Sequence, residues 1–347
     1  MMAAMSLPLA FIWNSSGCDP SFEPFDRNEL LADCAALAEQ QYLELQSASA
    51  ALSQSAEHYC AETGRELEPI QEEWRRLSVA WQRQQAVRFG PGKDQQLGAA
   101  IAWTPADEGR IDALSLDYEW TAASLRTSAA SIRGISALEV VLFATLELQI
   151  TSPYEACSFI LANTALVAEA VQPVAESWAP GGEQRVAFTE HNAEPYPNNR
   201  TALSELVNAS IVAIERASIV QLGAPLGDGI DAAPELVDGR FSARGLANTR
   251  ALLRGVHDVW APSEGDARLF DIVDSRGGGV SMRVSREFDT AFAVLDAIEG
   301  PLGDAVTNRP EQVEAARAAI NVLLRSYQTD VSALLAITVG FSDNDGD

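Results

Sequence analysis

The chain has 347 residues, of which 47% are hydrophobic and 21% are charged, a balance typical of a globular protein with a substantial core. Its formal net charge of −25 at pH 7 argues against a nucleic-acid partner, because binding to phosphates needs a basic surface. An acidic surface of this kind favours solubility and attracts cations without selecting one.

The N-terminal segment, residues 1–25, has features of a lipoprotein signal. Met1 to Trp13 is apolar but contains no Lys or Arg, so the basic start of a signal peptide is missing, and it is too short to span a bilayer. A wrongly assigned start codon would explain that lack. Ser15-Ser16-Gly17-Cys18 fits a lipoprotein cleavage site, except that Ser15 stands where Leu is usual. We expect an exported protein lipidated at Cys18; the alternative is a disordered apolar tail.

Residues 26–178 are expected to form an N-terminal helical bundle. Apolar residues recur at helical spacing through most of this region, and Gly and Pro mark its breaks. Residues 93–117 lack the periodicity and predict a loop over the bundle. Helices are predicted over residues 26–62, 66–88, 118–131, 132–147 and 153–178.

A polar, turn-rich stretch from Ala179 to Asn199 marks the expected domain boundary, and residues 199–341 are expected to form a C-terminal helical bundle. Helices are predicted over residues 201–222, 242–260, 284–298 and 310–337. No run of alternating residues indicates a strand. The predicted fold is therefore all-α, with two packed antiparallel helical bundles.

The helix predicted over residues 132–147 is central to the interpretation. From Ile135 to Leu148 nearly every position is apolar, which is typical of a fully buried helix. Glu139 lies within it, where an ionised carboxylate is costly unless it is paired or binds a metal. Ser136 precedes Glu139 by three residues, so both lie on one face. Two structural interpretations compete with a binding site: a capping box formed by Ser136 and Glu139, or a buried pair of Glu139 with Arg133.

Four segments together resemble the imelysin family, over a span from about Arg27 to the C-terminus. Residues 134–139, Gly-Ile-Ser-Ala-Leu-Glu, are similar to that family's Gly-x-His-x-x-Glu motif, with Ser136 in the histidine position. The other segments are Arg88-Phe89-Gly90-Pro91, the residues 222–227 with 242–248, and the ending 340–347. The resemblance implies two packed helical bundles and a non-catalytic envelope protein associated with iron uptake or with binding a small ligand between the bundles.

The resemblance also implies a site at Arg133, Gly134, Ser136 and Glu139. Glu139 is the candidate metal ligand, with iron as the candidate metal, but Ser136 removes the nitrogen ligand of the family motif. His257 is a weaker metal candidate, because a lone helical histidine is more often a polar residue at a bundle edge. The alternatives are a metallopeptidase-like enzyme and an envelope scaffold without a small-molecule ligand. No His-Glu-x-x-His or Gly-x-Ser-x-Gly motif occurs, which argues against the enzyme.

The expected location is the periplasm or cell envelope, with the membrane as partner through the lipid anchor and iron-uptake proteins as further partners. Four cysteines are too few for a disulfide framework in a chain of this length. Cys34 and Cys60 are expected far apart on one helix, so they cannot pair with each other. Pairing of Cys157 with one of them stays open, while roles as small buried hydrophobes are favoured.

Overall fold

The computed structural model describes residues 25–61, 66–94, 96–114, 118–144, 156–227, 231–261 and 264–340. Cys18, the predicted lipidation site, lies outside these residues. Within them the protein is all-α and has no strand, and one isolated β-bridge joins Ala193 to Tyr196. The predicted fold class is confirmed.

The first half of the chain is built on a long helical hairpin and a third long helix. Its helices are α1 (Arg27–Ala61), α2 (Glu68–Arg83), α3 (Pro91–Asp94), α4 (Leu97–Ile101), α5 (Glu108–Asp112), α6 (Ala122–Arg126), α7 (Gly134–Phe143), α8 (Cys157–Trp178) and α9 (Glu183–Glu190), with 3-10 turns at Gln84–Val87 and Ala130–Ile132. The helix α1 packs against both α2 and α8.

The second half of the chain is also built from helices. Its helices are α10 (Asn199–Glu215), α11 (Ala224–Leu226), α12 (Gly245–Trp260), α13 (Leu269–Asp274), α14 (Val280–Asp296), α15 (Leu302–Asn308), α16 (Pro310–Ser326) and α17 (Ser332–Leu335), with a 3-10 turn at Pro234–Leu236 and π-helical turns at Arg216–Gly223 and Tyr327–Val331. Here α16 packs against α14 and α10, and α10 packs against α12.

Several of the helix and loop ranges predicted from the sequence are wrong. The loop predicted over residues 93–117 contains α4 and α5, and the turn-rich stretch after Trp178 contains α9. Of the helix predicted over residues 118–131, only α6 and a 3-10 turn form. These elements are short, and short helices depend on packing against the rest of the fold more than on their own periodicity.

The helix α2 connects the two halves, because it packs against α1 on one side and α12 on the other. At the crossing of α2 and α12, a Cβ added to Gly255 would lie 1.9 Å from the carbonyl oxygen of Arg83. Only glycine permits so close an approach. The Arg83 side chain joins the halves as well, since its Nε donates to Asp258 at 2.8 Å and its Nη1 to Glu44 at 3.2 Å.

A disulfide between Cys60 and Cys157 joins the end of α1 to the start of α8. The favoured expectation, that these cysteines act as small buried hydrophobes, is therefore wrong for this pair. It is right for Cys34, which is free and buried. The pairing depends on the close approach of two helix ends that are 97 residues apart in sequence.

Two helical runs, Cys157–Glu190 and Asn199–Leu226, are long and apolar enough to cross a membrane. Half or more of the most apolar stretch of each is buried inside the protein. The core helices of a globular bundle have the same length and apolar composition, and they are buried in this way.

Candidate functional site at the junction of the halves

The start of α7 is fixed by Gly134. Its backbone has φ +79°, which favours glycine, and a Cβ there would lie 2.1 Å from the carbonyl oxygen of Ile101. The Gly134 amide donates to Oδ1 of Asn163 on α8 at 2.6 Å, which satisfies one of the free amides of the helix start. Gly134 thus sets the position of α7 between its neighbours.

Ser136 lies inside the first turn of α7, because the N-cap residue of this helix is Arg133. The Ser136 hydroxyl contacts the hydroxyl of Thr104 at 3.2 Å. The capping box suggested by the sequence is therefore wrong, since the helix begins two residues before Ser136 and the Glu139 carboxylate bonds elsewhere. Ser136 and Glu139 do share a face, as their spacing predicts, and they line the same cavities.

Glu139 is bound by the second half of the chain. Its Oε1 accepts hydrogen bonds from the amide of Ser242 at 2.9 Å and from the hydroxyl of Ser242 at 2.7 Å. Ser242 lies in the turn before α12, and its hydroxyl also contacts the Gly239 carbonyl oxygen at 3.2 Å. The carboxylate therefore joins the two halves at a point where only 6% of Glu139 is exposed.

Burial raises the pKa of Glu139 to about 7. The hydrogen bonds from Ser242 and from the backbone of Phe241 lower this pKa, while the charge of the nearby Asp238 raises it. Burial disfavours the charged form, and two donors on one oxygen offset only part of that cost. Near neutral pH this carboxyl group can therefore take up or release a proton.

Arg133 does not pair with Glu139, so the predicted ion pair is wrong. Its Nη1 donates to the carbonyl oxygens of Arg126 at 2.6 Å, and of Leu125 and Ser128 at 3.3 Å. These carbonyls lie at the C-terminal end of α6 and just beyond it, where backbone carbonyl oxygens are good acceptors for a guanidinium. Arg133 therefore holds α6 against the start of α7.

A second carboxyl group, that of the partly buried Asp238, lies beside Glu139. Asp238 Oδ2 accepts from Nε2 of Gln82 on α2 at 2.7 Å, and Gln82 Oε1 accepts from Gln221 at 3.0 Å. Burial raises the pKa of Asp238, against the charge of Arg216 and the amides of Asn248, Gln221 and Gln82. Burial likewise lowers the pKa of Arg216, whose Nε has no hydrogen-bond partner. The junction is therefore polar and includes ionisable groups of both signs.

Two small cavities open beside Glu139. One of about 20 Å³ is lined by Thr104, Ser136, Glu139 and the turn from Val237 to Phe241. The other, of about 10 Å³, lies between Ser136, Glu139, Arg216 and Asp238. Each has room for about one water molecule or a small ion. On the outer side, Arg240 forms an ion pair with Glu108.

His257 lies away from this junction. It is near the end of α12, and its ring contacts Phe288 at 5.3 Å and Phe292 at 5.8 Å between ring centres. Ser242 precedes the start of the same helix, and the rise from Gly245 to His257 is about 18 Å. Within the residues that the structure describes, no three His, Cys, Asp or Glu side chains are grouped to hold a metal ion.

The sequence indicated the central residues of this junction but not their partners. Thr104, Asp238, Gln82 and Arg216 were not predicted, because each lies in a different part of the chain. The one available signal was the segment from Ser242 to Asn248, which resembles a family segment and contains the Glu139 partner.

The helical fold and the position of this junction define a two-bundle, all-α protein with a buried polar site between the bundles. The family model described as imelysin matches residues 38–328, and the chain belongs to the imelysin family. None of the curated proteins compared with the chain matches it.

Two solved structures share the fold. A Parabacteroides distasonis protein described as an iron-regulated protein A precursor is 16% identical, with a TM-score of 0.77 over 92% of this chain and 97% of that chain. An imelysin-like protein from Psychrobacter arcticum is 18% identical, with a TM-score of 0.74 over 91% of this chain and 97% of that chain. At this identity the likeness shows the fold alone.

Proposed function

We propose that this protein is a non-catalytic component of the cell envelope that takes part in iron uptake by binding a small ligand, with iron as the first candidate, between its two bundles. The observation that supports the proposal is the Glu139 carboxyl group, buried at the junction and bound by Ser242 of the opposite half. Ionisable groups with strongly shifted pKa values are concentrated at functional sites.

In the cavity of about 20 Å³, which Arg216 does not line, the groups around Glu139 suit a small, positively charged ligand. Asp238 adds a second carboxyl group beside it, and the hydroxyls of Ser136 and Thr104 add neutral oxygen atoms. Oxygen ligands of this type are preferred by hard cations. Gly134 contributes by fixing the start of α7, and Arg133 by holding α6 against it, so both position the site without lining its cavities.

Export to the periplasm or envelope is part of the proposal, with a lipid on Cys18 as the membrane anchor. The Cys60–Cys157 disulfide supports it, because disulfides persist mainly in oxidising compartments. Labelled fatty acid should be incorporated by the native protein and not by the Cys18→Ser variant. If both proteins are soluble and neither incorporates the labelled fatty acid, the proposed lipid anchor is contradicted.

The binding proposal is tested on protein purified from its native envelope. Elemental analysis for metals and native mass spectrometry for other ligands should find a bound species in the wild type. The Glu139→Gln variant should lose it, while Glu57→Gln, a change at an exposed position of α1, should keep it. A wild type with nothing bound, or equal occupancy in both variants, would favour an envelope scaffold. Metal-dependent peptide hydrolysis lost in Glu139→Gln would favour the enzyme.

A further inference from the structure

An open groove of about 780 Å³ runs between α1 and α2. Its apolar lining consists of small residues and two larger ones, Leu43 and Val79, and Leu43 is 45% exposed. The volume lies within the range of small-molecule sites, which is about 300–1,000 Å³. None of the residues that line this groove lines the cavities beside Glu139.

The charged residues along the groove are paired, with one exception. Four glutamates line it, and each has an arginine partner: Glu39 with Arg185, Glu44 with Arg83, Glu72 with Arg75, and Glu73 with Arg76. The fourth arginine of the lining, Arg244, has no side-chain hydrogen bond or ion pair within the described part of the chain. Four glutamates and four arginines therefore line the groove, and Arg244 is the one arginine of this lining without a side-chain partner among the described residues.

Arg244 is held in place by its backbone rather than by its guanidinium. Its amide donates to the Gly239 carbonyl oxygen at 2.7 Å, and its carbonyl oxygen accepts from the Asn248 amide at 2.8 Å in the first turn of α12. The Nε atom is buried and has no partner. A partly buried guanidinium without an acceptor is costly, and a carboxylate matches its planar set of donors.

We propose that this groove binds an amphipathic carboxylate, with its head on Arg244 and an unbranched apolar chain along Leu43, Val79 and the alanines of α1. A carboxylate head supplies the hydrogen-bond acceptor that the Arg244 guanidinium lacks. A doubly charged phosphate head is disfavoured by the four glutamates of the lining and by the net charge of −25. The exposed apolar surface of Leu43 is covered by the chain of the ligand.

Titration calorimetry of the full chain with sodium decanoate tests this inference. We expect saturable binding at one site, with at least tenfold weaker binding of decanol, decyl phosphate and decyltrimethylammonium. Arg244→Gln should weaken decanoate binding at least tenfold and abolish its advantage over decanol. Leu43→Gln should weaken it at least fivefold. Arg276→Gln, at an exposed position in the second half, should leave it within twofold.

Circular dichroism and urea unfolding of each variant establish that it is folded before its affinity is compared. The inference is overturned if decanoate does not saturate a site, or if folded Arg244→Gln binds as the wild type does. It is overturned equally if decyl phosphate or decyltrimethylammonium binds as tightly as decanoate, because the single free arginine then does not select the ligand.

Discussion

Ser242 donates both its amide and its hydroxyl to one oxygen atom, Oε1 of Glu139, and so joins the two halves of the protein across 103 residues of sequence. This contact makes Glu139 at once a buried acid and a connection between the bundles. A change in its protonation therefore acts on the junction itself.

Stability should decrease with rising pH because of Glu139. Its pKa is about 7 in the folded protein and 4.5 without burial, so between these values the folded state binds the extra proton. The stabilising contribution is complete below about pH 4.5 and is lost as the pH rises through 7. The free energy of unfolding, relative to Glu139→Gln, should fall by on the order of 2–3 kcal/mol from pH 5 to pH 8. Urea unfolding of both proteins measures the difference, and parallel pH profiles would contradict it.

Gly134→Ala should destabilise the protein much more than Gly181→Ala, although the two backbones have nearly the same φ, +79° and +81°. Both substitutions place an L side chain in the left-handed region, at about 1–2 kcal/mol. Only at Gly134 does the new Cβ meet a carbonyl oxygen, whereas Gly181 has nothing within 4 Å. We expect a loss of on the order of 3–5 kcal/mol at Gly134. Urea unfolding of the two variants measures their losses of stability. Equal losses in Gly134→Ala and Gly181→Ala would show that α7 can shift to make room for the new Cβ.

Reduction of the Cys60–Cys157 disulfide should lower the free energy of unfolding by about 4–5 kcal/mol, because the bond closes a loop of nearly a hundred residues. Urea unfolding with and without a reductant measures this loss. The Cys60→Ser/Cys157→Ser variant should match the reduced wild type and should not respond to the reductant. An unchanged wild-type midpoint on reduction would mean that the bond does not form in solution.

Ser136→His tests whether the junction binds a metal once the histidine of the Gly-x-His-x-x-Glu motif is put back. A restored imidazole beside Glu139 should raise the affinity for iron or zinc at least about tenfold, which corresponds to about 1.4 kcal/mol. The Ser136→His/Glu139→Gln double variant should lose that gain. Titration calorimetry compares the three proteins. Unchanged affinity in Ser136→His would mean that Ser136 and Glu139 only hold the halves together.

The stability of Ser136→His separates the metal effect from packing. Since Ser136 is not the N-cap of α7, no loss of a helix cap is expected. Any destabilisation should come from fitting a ring beside Thr104, next to cavities of only about 10–20 Å³. The loss of stability is measured in the absence of metal. It should also be present in the Ser136→His/Glu139→Gln double variant.

Periodicity in the sequence was sufficient to predict the long helices, because a long helix buries a repeating stripe of its own residues. It was sufficient for α1, predicted over residues 26–62 and observed at Arg27–Ala61. It failed at α7, where Ser136 and Glu139 match a capping box but Arg133 occupies the N-cap. A local pattern cannot distinguish these registers, since the deciding contact of Gly134 with Asn163 comes from another helix.

The candidate site was predicted less completely than the fold. Burial of Glu139 followed from its apolar neighbours in sequence, and the structure agrees. The hydrogen-bond partner of Glu139 could not be predicted in this way. Arg133 is the nearest cation in sequence, but its side chain extends towards the end of α6. The polar contacts that join the two halves, such as those of Gln82 with Asp238 and of Glu139 with Ser242, connect residues more than a hundred positions apart. Such pairs depend on how the bundles pack.

The Cys60–Cys157 bond has one further consequence. Every residue that the first half brings to the Glu139 cavities, from Trp74 to Val140, lies between these two cysteines. A single cut by a protease within this interval therefore leaves the two fragments covalently linked, and the residues that line the cavities stay with both bundles. We therefore expect the junction to stay assembled after one cut between Cys60 and Cys157.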